Sequence, residues 1–137
     1  MKILGHGIDL VDVQRVASLL SKNDDFLLGW FTNRELEELG ERASQAPVVA
    51  GRVAAKEAVV KSLGCGFNDE VSWQDVEILS TEAGTPTVHL SGGAAGVAEA
   101  SGVSSILLSI SHEAHISVAS AIAVGVLRTD IGDRRLV

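Results

Sequence analysis

Apolar residues recur along this chain in two rhythms, and the rhythm changes near the middle. Ile3 to Val13 reads as a strand, with Gly5 and Gly7 as turn-permissive residues near its start. From Val11 to Leu20 the apolar positions Val13, Val16, Leu19 and Leu20 fall at helical spacing, and Asp12 supplies an N-cap. Asp24 or Asp25 starts a short helix through Trp30. Thr32 followed three residues later by Glu35 is a capping box, which predicts a helix over Asn33 to Glu41. Pro47 suits the first turn of a longer helix that runs to Leu63, and Gly64 ends it.

The second half alternates with a period of two. Val71 to Leu79 reads as a strand, Gly84-Thr85-Pro86 as a turn, and Thr87 to Leu90 as a returning strand. Gly93 to Ser101 is alanine-rich and predicts a helix. Ile106 to Ser111 and Ile116 to Leu127 are strand-like runs joined by a hairpin or bulged turn. Helices early and strands late give an α+β class with helices packed on an antiparallel sheet. At 137 residues the chain holds one domain, expected over 1–127, followed by a polar tail over 128–137.

Composition narrows the function classes. A net charge of −7 argues against broad binding to nucleic acid, because that binding is led by phosphate neutralisation. Only 4% of residues are aromatic, which leaves little for base stacking. The longest apolar run falls short of the ~20 residues of a membrane helix. The first residues lack the pattern of a signal peptide, and Cys65 is the single cysteine, so a reducing, cytoplasmic location is expected.

A few residues are out of place for structure alone. Asp9 sits between Ile8 and Leu10 in a strand; it is either a solvent-facing position or a metal or catalytic carboxylate on a rigid element. Glu57 lies among alanines and valines, where an unpaired carboxylate is costly. Its partner is Lys61, four residues on, or a metal ion. Arg52, Lys56 and Lys61 put three cations around that acid, explained by solvation or by a phosphate-binding groove. His112 ends Ser109-Ile110-Ser111-His112, where it donates to a phosphate or caps the loop. No histidine pairs with Cys65 at zinc spacing, and Cys65 follows a helix C-terminus, which makes it a weak nucleophile.

Four motifs occur in order: Gly5-His6-Gly7-Ile8-Asp9-Leu10, Phe31-Thr32-Asn33-Arg34-Glu35-Leu36, Gly51-Arg52-Val53-Ala54-Ala55-Lys56-Glu57-Ala58 and Ser109-Ile110-Ser111-His112. Together they resemble the holo-[acyl-carrier-protein] synthase family, the small phosphopantetheinyl transferases of fatty-acid synthesis. Val71 to Ile78 and Gly84-Thr85-Pro86 extend the resemblance, which runs to about Val126.

The resemblance implies transfer of the phosphopantetheine arm of coenzyme A to a serine of apo acyl carrier protein, with Mg²⁺ as cofactor. It implies that Asp9 and Glu57 hold the ion, and that Lys61 neutralises the pyrophosphate. Arg52, Lys56 and His112 would be further contacts to coenzyme A phosphates. Mg²⁺ takes one or two carboxylates plus water and phosphate oxygens, so two acids suffice. The serine proton would pass to a carboxylate such as Glu57 or to metal-bound water. Arg15, Leu19 and Lys22 on the first helix resemble the family's carrier-docking surface, although Asp24 and Asp25 follow where basic residues are usual. His6, Thr85 and the segment Glu113-Ala114-His115 also depart from the family pattern. Homotrimers with active sites shared between subunits are implied as well. The competing reading is a non-catalytic carrier-protein or nucleotide-binding module with the same fold.

Overall fold

The computed structural model describes residues 1–127, so the polar tail expected over 128–137 lies outside the described residues. Strand β1 (Lys2–Asp12) passes directly into helix α1 (Val13–Lys22). Asp12 makes the switch: its side chain accepts from Gln14 N, satisfying one of the free donors at the helix start. Helices α2 (Phe26–Trp30), α3 (Asn33–Leu39) and α4 (Ala46–Ser62) follow, with a 3₁₀ turn over Gly40–Ser44 between the last two. A second 3₁₀ turn, Trp73–Asp75, leads into β2 (Val76–Ser80) and β3 (Pro86–Leu90). Helix α5 (Gly92–Ser101) and strands β4 (Val103–His112) and β5 (Ile116–Gly125) complete the described chain.

The class is α+β, as expected, but the strands form two antiparallel sheets rather than one. One has the order β1-β5-β4, and the other is the β2-β3 hairpin. The Thr32–Glu35 capping box is present with both of its bonds. Several sequence-based boundaries shift, most by one or two residues. Helix α3 stops at Leu39, where the 3₁₀ turn takes over. The strand expected from Val71 begins only at Val76, because Ser72 and Asp75 cap each other and hold 73–75 in a tight turn. Strand β4 begins at Val103, ahead of the expected Ile106.

Helix α4 is central. Val49, Ala50, Ala54, Ala55, Ala58 and Val59 are fully buried, and the helix lies between the three-stranded sheet and the β2-β3 pair. Gly5 and Gly7 are strand residues, not turn residues, and they explain how β1 lies so close to α4. A methyl group on Gly5 would stand 1.9 Å from Ser62 O, and one on Gly7 would stand 2.1 Å from Ala58 O. Strand alternation puts Asp9 on the same face as these glycines, toward α4.

Two cations on α4 point the other way and fasten it to α3 and β2. Lys56 is fully buried. Its Nζ donates to Glu35 Oε1 at 2.9 Å, to Trp73 O at 3.0 Å and to Val76 O. Glu35 Oε2 accepts from Ile78 N at 3.0 Å. One turn back, Arg52 donates to Ile78 O and to Glu38, while Glu38 accepts from Ser80 N. Burial pulls the Lys56 ammonium below the usual lysine range, and Glu35 opposes that shift.

Two stability predictions follow from this packing. Gly7→Ala forces a methyl into helix backbone and is expected to cost about 1–3 kcal/mol or more, read as a lower urea midpoint. Lys56→Met leaves Glu35 buried without its cation and is expected to cost about 3–5 kcal/mol by the same measurement.

Candidate functional site

Asp9 and Glu57 line one pocket of about 280 Å³, together with Arg15, Leu19, Trp30 and Trp73. Strand β1 presents Asp9 from one side, α4 presents Glu57 from another, and α1 supplies Arg15 and Leu19. The close seating of β1 on α4 by Gly5 and Gly7 brings the two acids together. Burial raises the Glu57 pKa, the negative charge of Asp9 raises it further, and Lys61 acts in the opposite sense. The Asp9 charge in the same pocket therefore opposes ionisation of Glu57.

Lys61 pairs with Asp9 rather than with Glu57. Its Nζ donates to Asp9 Oδ1 at 2.9 Å and to Ile8 O at 3.1 Å. The Asp9 hydrogen bond holds the ammonium above the usual lysine range. The side chain is 50% exposed, so it is also open to solvent and to a ligand. The intrahelical pair read between Glu57 and Lys61 is thus replaced by a bridge between helix and strand. Glu57 is left facing the pocket with Asp9 beside it.

This donor set suits a hard divalent cation. Carboxylate oxygens are the ligands Mg²⁺ prefers, and two of them leave room for water and phosphate oxygens. A cation between Asp9 and Glu57 would offset both the burial of the Glu57 charge and the smaller repulsion from Asp9. Among the described residues no cluster of three or more His, Cys, Asp or Glu forms, so the acidic pair is the candidate centre.

The remaining expected residues divide. Arg52 and His112 line a second, larger pocket of about 560 Å³ with Arg42, Ser80, Gly84 and Pro86. Its lining shares no residue with the acidic pocket. His112 ends β4 and is exposed. The Arg52 guanidinium is held by Ile78 O at 2.7 Å, Ser80 Oγ at 3.0 Å and Glu38 Oε2 at 3.3 Å. Lys56 belongs to neither pocket. The expectation that it contacts phosphate is corrected here: its three N–H donors are engaged by protein acceptors and the side chain is buried. On α1, Arg15 and Leu19 reach the acidic pocket, whereas Lys22 lies exposed at the far end of the helix and does not line it.

Among the lining residues that escaped the sequence reading, Arg42, Trp30 and Trp73 stand out by their chemistry. Arg42 sits in the 3₁₀ turn, where no periodicity marks it, and donates to Glu38 O at 3.1 Å. Trp30 and Trp73 had one available signal: they are the only tryptophans of the chain. Burial raises the Cys65 thiol, in agreement with its reading as a weak nucleophile.

Known proteins match this arrangement over most of the chain. The family model of the 4'-phosphopantetheinyl transferase superfamily matches residues 5–119. A holo-[acyl-carrier-protein] synthase of Desulforudis audaxviator is 46% identical over 124 residues, covering 90% of this chain and 94% of that protein. The holo-ACP-synthase of Plasmodium yoelii superposes with a TM-score of 0.80 at 38% identity, covering 91% of this chain and 97% of that one. The Helicobacter pylori holo-[acyl-carrier-protein] synthase, solved in complex with coenzyme A, gives a TM-score of 0.75 at 26% identity over 87% of this chain and 99% of its own. The motifs, the fold and the paired acids lead to one placement: this chain belongs to the 4'-phosphopantetheinyl transferase superfamily.

Proposed function

We propose that this chain transfers the phosphopantetheine arm of coenzyme A to a serine hydroxyl of an apo acyl carrier protein. Holo carrier protein and adenosine 3',5'-bisphosphate are the products. The observation that carries the reading is the Asp9–Glu57 pair in one pocket, in a chain similar to named holo-[acyl-carrier-protein] synthases along most of its length. The serine oxygen attacks the phosphorus that bears the arm, the bond to the bridging oxygen breaks, that oxygen leaves with the electron pair on the bisphosphate, and the serine proton passes to a carboxylate such as Glu57 or to water. The nucleophile belongs to the carrier, so the chain needs none of its own.

Asp9 and Glu57 are the residues that would hold Mg²⁺, which when bound offsets negative charge developing on the pyrophosphate. Lys61, half-exposed beside Asp9, adds a cation at the same end of the pocket. Arg15 and Leu19 edge the pocket on α1, and with Lys22 they give the acidic carrier a basic and apolar surface. Charge complementarity there sets encounter rate and specificity.

A homotrimer is part of the same reading. The outer face of the three-stranded sheet leaves Ile8, Leu10 and Leu107 more than half exposed, which is unusual for an apolar sheet face without a partner. Arg52 and His112 lie in a pocket separate from the acids, so a neighbouring copy is the means by which both sets act on one coenzyme A. The carrier of fatty-acid synthesis as substrate and a cytoplasmic location complete it.

Incubation with apo carrier protein, coenzyme A and Mg²⁺ is expected to add a phosphopantetheine mass to the carrier, read by mass spectrometry. No gain with several folded apo carriers would sink the transferase reading. Glu57→Ala is expected to lower turnover by about 10²-fold or more, and full activity in that variant would remove Glu57 from the ion site. Lys22→Glu, at a position outside the pocket lining, is expected to raise the KM for carrier and leave that for coenzyme A unchanged, with a weaker dependence on salt.

A further inference from the structure

Four of the chain's five aromatic residues form one ladder, and its two central rings line the acidic pocket. Phe26 meets Trp30 edge-on at 5.0 Å. Trp30 stacks on Trp73 at 4.5 Å with planes 10° apart, and Phe67 stacks on the other face of this group against Trp73 at 4.0 Å. None of the four is fully buried. The two indoles, 43 positions apart in sequence, both line the pocket that holds Asp9 and Glu57.

The ladder is braced in place. Gln74 Nε2 donates to Leu28 O at 2.8 Å and to Phe31 O at 3.1 Å, tying the turn of Trp73 to the helix of Trp30. Buried Lys56 holds Trp73 O at 3.0 Å. Stacked aromatic pairs are stabilising in their own right, yet that alone does not require both rings to stand partly exposed beside two carboxylates. A fixed apolar wall next to a polar centre is how ligand sites combine affinity with orientation.

Resting on the transferase reading, we propose that the Trp30–Trp73 stack seats the pantetheine arm of coenzyme A, and that Trp30 is a specificity-determining residue for that arm. The arm is joined to the reacting phosphate through one oxygen. Once the phosphate lies at the Asp9–Glu57 end, the arm must begin in the same pocket. Trp30 and Phe67 cover the faces of Trp73, so the methyl groups and amide planes of the arm would pack along the pocket-lining rims of the two indoles. A pocket of about 280 Å³ has room for such an arm and not for the nucleotide as well. It is a cleft between α1 and α4, suited to a narrow flexible chain, whereas a carrier helix would dock on the solvent face of α1.

Both tryptophans of the chain are in the stack, so intrinsic fluorescence reports on it directly. The test titrates the protein in Mg²⁺ with coenzyme A, with adenosine 3',5'-bisphosphate, which lacks the arm, and with apo carrier alone. Coenzyme A is expected to change the tryptophan emission, and the other two to leave it unchanged. Trp30→Leu is expected to raise the KM for coenzyme A about tenfold, with binding of the bisphosphate unchanged and Trp30→Phe restoring most of the loss. An equal change with the bisphosphate, or a change with carrier alone, would overturn the proposal, and so would a Trp30→Leu effect confined to the KM for carrier. The titration uses the wild-type protein and decides the question even if Trp30→Leu does not fold. Wild-type transfer with emission insensitive to coenzyme A overturns only this inference; absence of any transfer overturns the function on which it rests.

Discussion

The rest of the fold is arranged around a buried ion pair between Lys56 and Glu35. Taking two charges out of water costs several kcal/mol per ion, and the cost is offset only when every remaining donor and acceptor finds a partner. Here they do. Lys56 reaches Glu35, Trp73 O and Val76 O, and Glu35 also accepts from Thr32 N and Ile78 N. Arg52 and Glu38 repeat the device one turn away with Ile78 O and Ser80 N. The outward edge of β2 is thereby met by side chains of α3 and α4 instead of by another strand. Its carbonyls take the cations, and its amides take the carboxylates. An open strand edge is a template for unwanted pairing, and this one is closed by four charges.

That closure frees the opposite flank of α4 for the site. With Lys56 and Arg52 directed at α3 and β2, the helix turns Ala58 and Ser62 toward β1, where Gly5 and Gly7 admit it to backbone distance. Glu57 then lies beside Asp9, and Lys61 bridges to Asp9. Each flank of one 17-residue helix has a separate task, which is why the helix shows no clean apolar stripe.

Much of this was legible from local rules. Asp12, Thr32 with Glu35, Pro47 and Gly64 marked helix ends because capping depends on neighbours a few positions away. The prominence of Asp9 and Glu57 was legible too, since an acid in an apolar run is visible without coordinates. What could not be read were choices between partners distant in sequence. Lys61 finds Asp9 52 positions away instead of Glu57 at helical spacing. Lys56 turns inward to a carboxylate 21 positions away. Gly5 and Gly7 signal a turn by type, and only the backbone of α4 above them shows that they are there for contact. The aromatic ladder joins α2 to the turn before β2, a pairing no periodicity announces.

The side-chain closure of β2 also bears on how such sequences change over descent. Replacing Glu35 or Lys56 alone strands its partner's charge in the interior, so drift at one position is tolerated only with a matching change at the other. Positions 35, 38, 52 and 56 would then travel together as a unit of inheritance. Lys56 is the direct neighbour of Glu57 in the chain, and constancy at the two positions would have different origins: one kept for architecture, the other for chemistry. Invariance alone would present them as a single catalytic motif, and only the direction in which each side chain points separates them.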